Sequence, residues 1–171
     1  MNEVLIVDGY NIIGAWPELE RLKDVRLEDA RDRLIDILAE FQGITGFRVI
    51  LVFDAHQVPG LGKYYRQHRL QIMYTKEKET ADEYIERLVA ELAENRNVRI
   101  RVATSDQVEQ HVIFGKGALR LSARELKLLV DDVFREIKRQ TGETKQAGKN
   151  PISAKLSEEM RQMMEKWRRD K

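Results

Sequence analysis

The sequence contains no cysteine. This excludes disulfides, thiolate metal sites and a Cys nucleophile, and it favours a reducing compartment. No apolar run approaches the roughly 18 residues that a membrane-spanning helix needs. The first strand pattern begins at Glu3, too early to follow a signal peptide. Together these absences lead us to expect a cytoplasmic protein. Several enzyme motifs are missing as well. There is no GxGxxG or GxxxxGK[ST] for a nucleotide phosphate, and no GxSxG nucleophile elbow. His56, His68 and His111 show no HExxH spacing. Asp8 is not followed by a second Asp two residues on, which weighs against an aspartyl-phosphate phosphatase.

What is present is a chain of 171 residues, 42% apolar and 35% charged, suited to one domain with a full core. The net charge of +1 hides a polarity. Residues 135–171 hold 11 Lys/Arg against 6 Asp/Glu, net +5, so the remainder is net −4. Residues 57–78 carry Lys63, Arg66, Arg69, Lys76 and Lys78 against Glu77, net +4. An acidic centre with basic flanks suits a polyanionic substrate.

Apolar periodicity alternates between strands and helices. Strands are expected at about 3–8, 47–54, 70–74 and 98–103, with a short one near 117–121. A loop containing Trp16-Pro17 follows the first strand, and a helix over about 27–42 is expected to end at Gly43. Gly and Pro make residues 56–62 irregular. Thr80 with Glu83, Thr104 with Gln107 and Ser122 with Glu125 read as capping boxes for helices to about Asn95, Gly115 and Gln140. Residues 141–152 read as a linker. Leu156, Met160, Met163, Met164 and Trp167 then place an amphipathic helix over 153–171, basic on its other face. The alternation implies an α/β fold with a layered, mostly parallel sheet.

The acids stand in telling places. Val4-Leu5-Ile6-Val7 ends in Asp8, and Val49-Ile50-Leu51-Val52-Phe53 ends in Asp54. The strand at 98–103 leads through Thr104-Ser105 to Asp106, and Asp82 opens a helix. Ligands of open α/β sheets bind beyond the carboxyl ends of the strands. Each acid alone also fits a turn or a helix start. Four together would repel one another unless a cation held them, and a hard ion on oxygen ligands, Mg²⁺ or Mn²⁺, is the simplest answer. Asn11 can orient a water or a phosphate oxygen. The loop from His56 to Lys78 offers Lys63, Arg66, Arg69 and Lys76 for phosphates, with Tyr64 and Tyr65 for stacking on unpaired bases.

Asp8-Gly9-Tyr10-Asn11, Val52-Phe53-Asp54-Ala55, Thr80-Ala81-Asp82-Glu83 and Ala103-Thr104-Ser105-Asp106 resemble, in order, the motifs of the NYN domains in the PIN-like nuclease superfamily. Ser122-Ala123-Arg124-Glu125 further resembles the bacterial YacP-like branch. The resemblance covers about residues 1–140. It implies a PIN-like three-layer α/β/α sandwich and a metal-dependent endoribonuclease. Asp8, Asp82 and Asp106 match the metal-binding acids and Asn11 the motif's polar residue, while some relatives lack an acid at Asp54. It further implies products with a 5′-phosphate and a 3′-hydroxyl.

The expected reaction is attack by a metal-activated water on single-stranded RNA, mRNA above all. A ribosome would present that strand and offer phosphate to the basic C-terminal region. The alternatives are an RNA-binding PIN-like module that does not cut, and a metal-dependent phosphatase.

Overall fold

The computed structural model describes residues 2–55, 63–67, 70–105, 117–143 and position 162, with backbone only at 63–67 and 143. Among these, elements follow in the order β1 (Asn2–Asp8), α1 (Gly9–Ala15), α2 (Pro17–Val25), α3 (Leu27–Thr45), β2 (Arg48–Phe53), β3 (Lys63–Gln67), β4 (Leu70–Tyr74), α4 (Ala81–Leu92), β5 (Val98–Ala103), β6 (Leu119–Leu121) and α5 (Ala123–Glu143).

They form one sheet in the order β3-β4-β2-β1-β5-β6. Five strands are parallel, and the edge strand β3 runs antiparallel to β4. Val4-Leu5-Ile6-Val7 is apolar on both faces, which suits a central parallel strand covered on both sides. β1 accordingly lies between β2 and β5, with Ile6 opposite Ile50 and Val102. Leu5, Val7, Leu51 and Phe53 point to one face and pack with Ile12, Leu19, Leu34, Leu38, Phe41 and Leu129 of α1, α2, α3 and α5. Val4, Ile6, Ile50, Val52, Ile100 and Val102 point to the other and pack with Ala81, Ile85 and Val89 of α4. The expected three-layer α/β/α sandwich is the fold observed.

Of the expected capping boxes, Ser122–Glu125 is formed in both directions and Thr80–Glu83 through the Thr80 hydroxyl. The Thr80 hydroxyl accepts from the Glu83 N–H at 3.1 Å. The Ser122 hydroxyl accepts from the Glu125 N–H at 3.1 Å, and the Glu125 carboxylate accepts from the Ser122 N–H at 3.4 Å.

Other details differ from the sequence reading. The expected loop around Trp16-Pro17 is two short helices, α1 and α2. Pro17 starts the second, where its missing N–H is no loss. The Trp16 indole donates to the Ala123 carbonyl at 2.8 Å and fixes the break against α5. α3 passes Gly43 and ends at Gly46, whose φ of 74° is the left-handed stop that favours glycine. Part of the stretch read as a loop from His56 to Lys78 is β3, paired from Lys63 opposite Tyr74 to Gln67 opposite Leu70. α5 runs to Glu143, three residues past the expected boundary at 140. The Thr104–Gln107 capping box with its helix, most of the linker, and the helix expected at 153–171 lie outside the described residues, position 162 apart. No described helix is long and apolar enough to cross a membrane.

Gly9 joins β1 to α1 at the point that positions everything downstream. A Cβ there would collide with the edge of the Phe53 ring, itself fully buried. The glycine therefore serves close approach of the Phe53 side chain. Gly9→Ala gains helix propensity but overpacks this contact, at a typical penalty of about 1–3 kcal/mol. We expect a lower urea midpoint; an unchanged midpoint would mean that the Phe53 ring yields freely.

Candidate active site

The carboxyl ends of β4, β2, β1, β5 and β6 share one rim because these strands are parallel. Asp8 is the last residue of β1, opposite Val52, and only 6% exposed. It continues the alternation of Val4 and Ile6 and so belongs to the α4 side of the sheet.

Asp54 follows β2 on the same side. Its carboxylate accepts from the Ala81 N–H at 3.2 Å, at the first residue of α4. The chain on either side of Asp54 is also fixed. The Thr75 N–H donates to the Phe53 carbonyl at 3.0 Å, and the Thr75 hydroxyl accepts from the Ala55 N–H at 3.0 Å. Asp54 thus ties the exit of β2 to the start of α4, where Asp82 is the second residue. There the helix dipole favours a negative charge. Asp82 is half-buried.

The turn after β5 is held from α1. The Asn11 side-chain carbonyl accepts from the Ser105 N–H at 2.7 Å and from the Ser105 hydroxyl. Asn11, which the sequence suggested orients a water or a phosphate oxygen, here holds the residue that precedes Asp106. The Thr104 N–H donates to the Leu121 carbonyl at 3.0 Å and anchors the same turn to β6. Asp106 itself lies outside the described residues, as do His56, His68, Arg69 and His111. Lys63, Tyr64, Tyr65 and Arg66 fall on β3, with side chains not described, and Lys76 is exposed just past β4. Among the described residues, no three acids or histidines stand close enough to hold a metal ion by themselves.

The opposite side of the rim carries groups that the sequence did not single out. Tyr10 packs on Phe53 with ring centroids 4.9 Å apart, and Phe53 stacks on Tyr74 at 5.3 Å. Arg31 of α3 donates to the Tyr10 hydroxyl at 3.2 Å. Burial pushes the Tyr10 phenol above its ordinary pKa; Arg31 pulls it back, and the charge of Asp54 adds to the rise. Arg31 read as one of many helix-surface charges. Only the packing of α3 over the end of the sheet distinguishes it.

The profile of the YacP-like NYN domain family matches residues 5–169. The YacP protein of Bacillus subtilis (strain 168) is 52% identical over 170 residues, which span 98% of this chain and 97% of that one. The crystal structure of Rae1 (YacP) from Bacillus subtilis is similar with a TM-score of 0.71, 52% identity, and coverage of 97% of this chain and 94% of that one. The crystal structure of a tryptophan-to-leucine mutant of Rae1 gives a TM-score of 0.74 with 48% identity, over 90% of this chain and 89% of that one.

The bond from Ala81 to Asp54 makes a stability expectation. Asp54→Ala removes an acceptor at a helix start, which typically lowers stability by about 1 kcal/mol. Asp54→Asn keeps an acceptor oxygen and should lose less than half of that in chemical denaturation. Equal losses would show that the charge, and not the acceptor, holds α4 in place.

Proposed function

Because the chain belongs to the YacP-like NYN domain family, we propose that it is a metal-dependent endoribonuclease acting on single-stranded RNA. The observation that carries this reading is the placing of Asp8, Asp54 and Asp82 on the α4 side of one rim, with the turn before Asp106 clasped to Asn11.

The donors offered by Asp8, Asp82 and Asp106 are carboxylate oxygens, the chemistry that Mg²⁺ or Mn²⁺ takes. Such an ion would supply Lewis acidity and a water of lowered pKa for attack on phosphorus. The protein's own residues do the positioning. Asp54 holds α4, and with it Asp82, against the exit of β2. Asn11 fixes the path of the chain into Asp106. Lys63, Tyr64, Tyr65, Arg66, Arg69 and Lys76 belong to the basic stretch around β3 and β4 and bind the RNA strand.

Cleavage of a labelled single-stranded RNA is expected with Mn²⁺ or Mg²⁺ and is abolished by EDTA. Asp82→Asn should reduce the rate by more than the roughly 10–100-fold typical of residues that only support a ligand. Its unfolding free energy should change by no more than about 1 kcal/mol, the range of a helix-dipole charge. Full activity in both Asp8→Asn and Asp82→Asn rejects the site. Tight RNA binding with no cleavage under any metal would identify a binding module.

The substrate is mRNA presented by the ribosome. The support is the net charge of +5 over residues 135–171, which suits a phosphate-rich partner. Co-sedimentation with ribosomes is expected at low salt and lost at high salt. Absence from the ribosomal fraction at low salt, with free cleavage of naked RNA, would leave a nuclease that needs no such partner.

A further inference from the structure

Arg31 differs from many arginines of the described residues by its partner, and from Arg48, whose partner Gln71 is also neutral, by standing beside Tyr10 at the rim of the candidate site. Arg26, Arg33, Arg87, Arg99, Arg101, Arg135 and Arg139 each pair with a carboxylate. The hydrogen-bond partner of Arg31 is a phenol, the Tyr10 hydroxyl, at 3.2 Å, while the Glu28 carboxylate, three residues back in α3, acts on the guanidinium only electrostatically. A guanidinium has five N–H donors in a fixed fork, and one phenol oxygen occupies only part of it. The group is only partly exposed, so its position is set by packing.

The aromatic row gives that position its meaning. Phe53 is the residue before Asp54 and holds Tyr10 on one side and Tyr74 on the other. Tyr74 also acts electrostatically on the Arg31 guanidinium. The cation and both phenols therefore gather at the exits of β2 and β4, one residue from the acid that holds α4. Alternation along β2 puts Phe53 on the α3 side and Asp54 on the α4 side of the same rim.

We propose that Arg31, set in place by Tyr10 and Tyr74, is a phosphate-binding subsite that grips the RNA strand beside the acidic site. This rests on the nuclease reading for its substrate. The subsite takes a backbone phosphate of a nucleotide next to the scissile one. It neutralises that phosphate where the nearby acids would otherwise repel the strand. An arginine whose hydrogen-bond partner is a phenol keeps donors of its fork for a phosphate, whereas one held bidentately by a carboxylate would attract phosphate weakly.

The test is equilibrium binding of a fluorescent single-stranded oligouridylate to the full chain in EDTA, over a range of salt. Arg31→Gln should weaken binding and lower the slope of log Kd against log salt by about 0.7, the value for one single-strand phosphate contact. Arg31→Lys should keep the slope, because the charge remains, yet bind more weakly than the parent because the fork is lost. Tyr10→Phe should likewise keep the slope and weaken binding. An unchanged slope in Arg31→Gln overturns the subsite and leaves Arg31 as a tie between α3 and α1. Cleavage with Mn²⁺, measured in parallel, separates the two ideas. A parent that cuts RNA with an unchanged Arg31→Gln slope keeps the nuclease and loses the subsite. A parent that binds without cutting, with a reduced slope in Arg31→Gln, keeps the subsite and loses the nuclease. A parent that does not bind the oligonucleotide rejects both.

Discussion

β1 is bonded along both edges and buried on both faces, and the candidate site depends on that. Val4, Leu5, Ile6 and Val7 are each 3% exposed or less. Burying a side chain of this size contributes about 1.5–3 kcal/mol, so the strand has little freedom to leave its place. Parallel pairing with β2 and β5 then sends three chain exits to the same rim. A slip of one residue would exchange the faces of Val7 and Asp8, placing a carboxylate among the aliphatic side chains under α3. The hydrophobic pattern thus fixes on which side of the sheet the first acid appears.

Short polar contacts refine what the sheet brings near. Asp54 is joined to α4 through Ala81, and Thr75 holds the chain on both sides of Asp54. Asn11 reaches from α1 to Ser105, and Leu121 anchors Thr104. Each contact links two segments that leave the sheet separately. A site assembled from strand exits and supported by such ties is pre-organised before any ligand arrives. The same arrangement divides the rim electrically. Acids face α4, whose positive end favours them, while Arg31 and the tyrosines occupy the side of α3. A polyanionic strand crossing the rim would meet a cation on one side and the candidate acids on the other.

Much of this was legible along the chain. Two-sided apolar strands and the spacing of Leu27, Leu34, Leu38 and Phe41 reported the sheet and α3, because burial imposes periods of two and 3.6 residues. The Thr80 and Ser122 capping boxes were legible because both partners lie within one turn. α1 and α2 were not, since each is too short for a period and their break is stabilised by the distant Trp16–Ala123 bond. β3 was not, because a partly basic edge strand needs its partner β4 to become a strand at all.

The sequence by itself determined the class of the fold and the order of its parallel strands and longer helices, together with the residues Asp8, Asp54 and Asp82 at strand and helix ends. These follow from local pattern, where neighbours in the chain are neighbours in space. Tertiary structure decided what those residues do. It gave Asp54 to the start of α4, Asn11 to Ser105, and Gly9 to the Phe53 ring. It also chose Arg31 from a helix of similar charges, by packing α3 over the rim beside Tyr10. Those roles arise from contacts between segments 21 to 94 positions apart. No local pattern encodes them, because each depends on two elements meeting on one sheet.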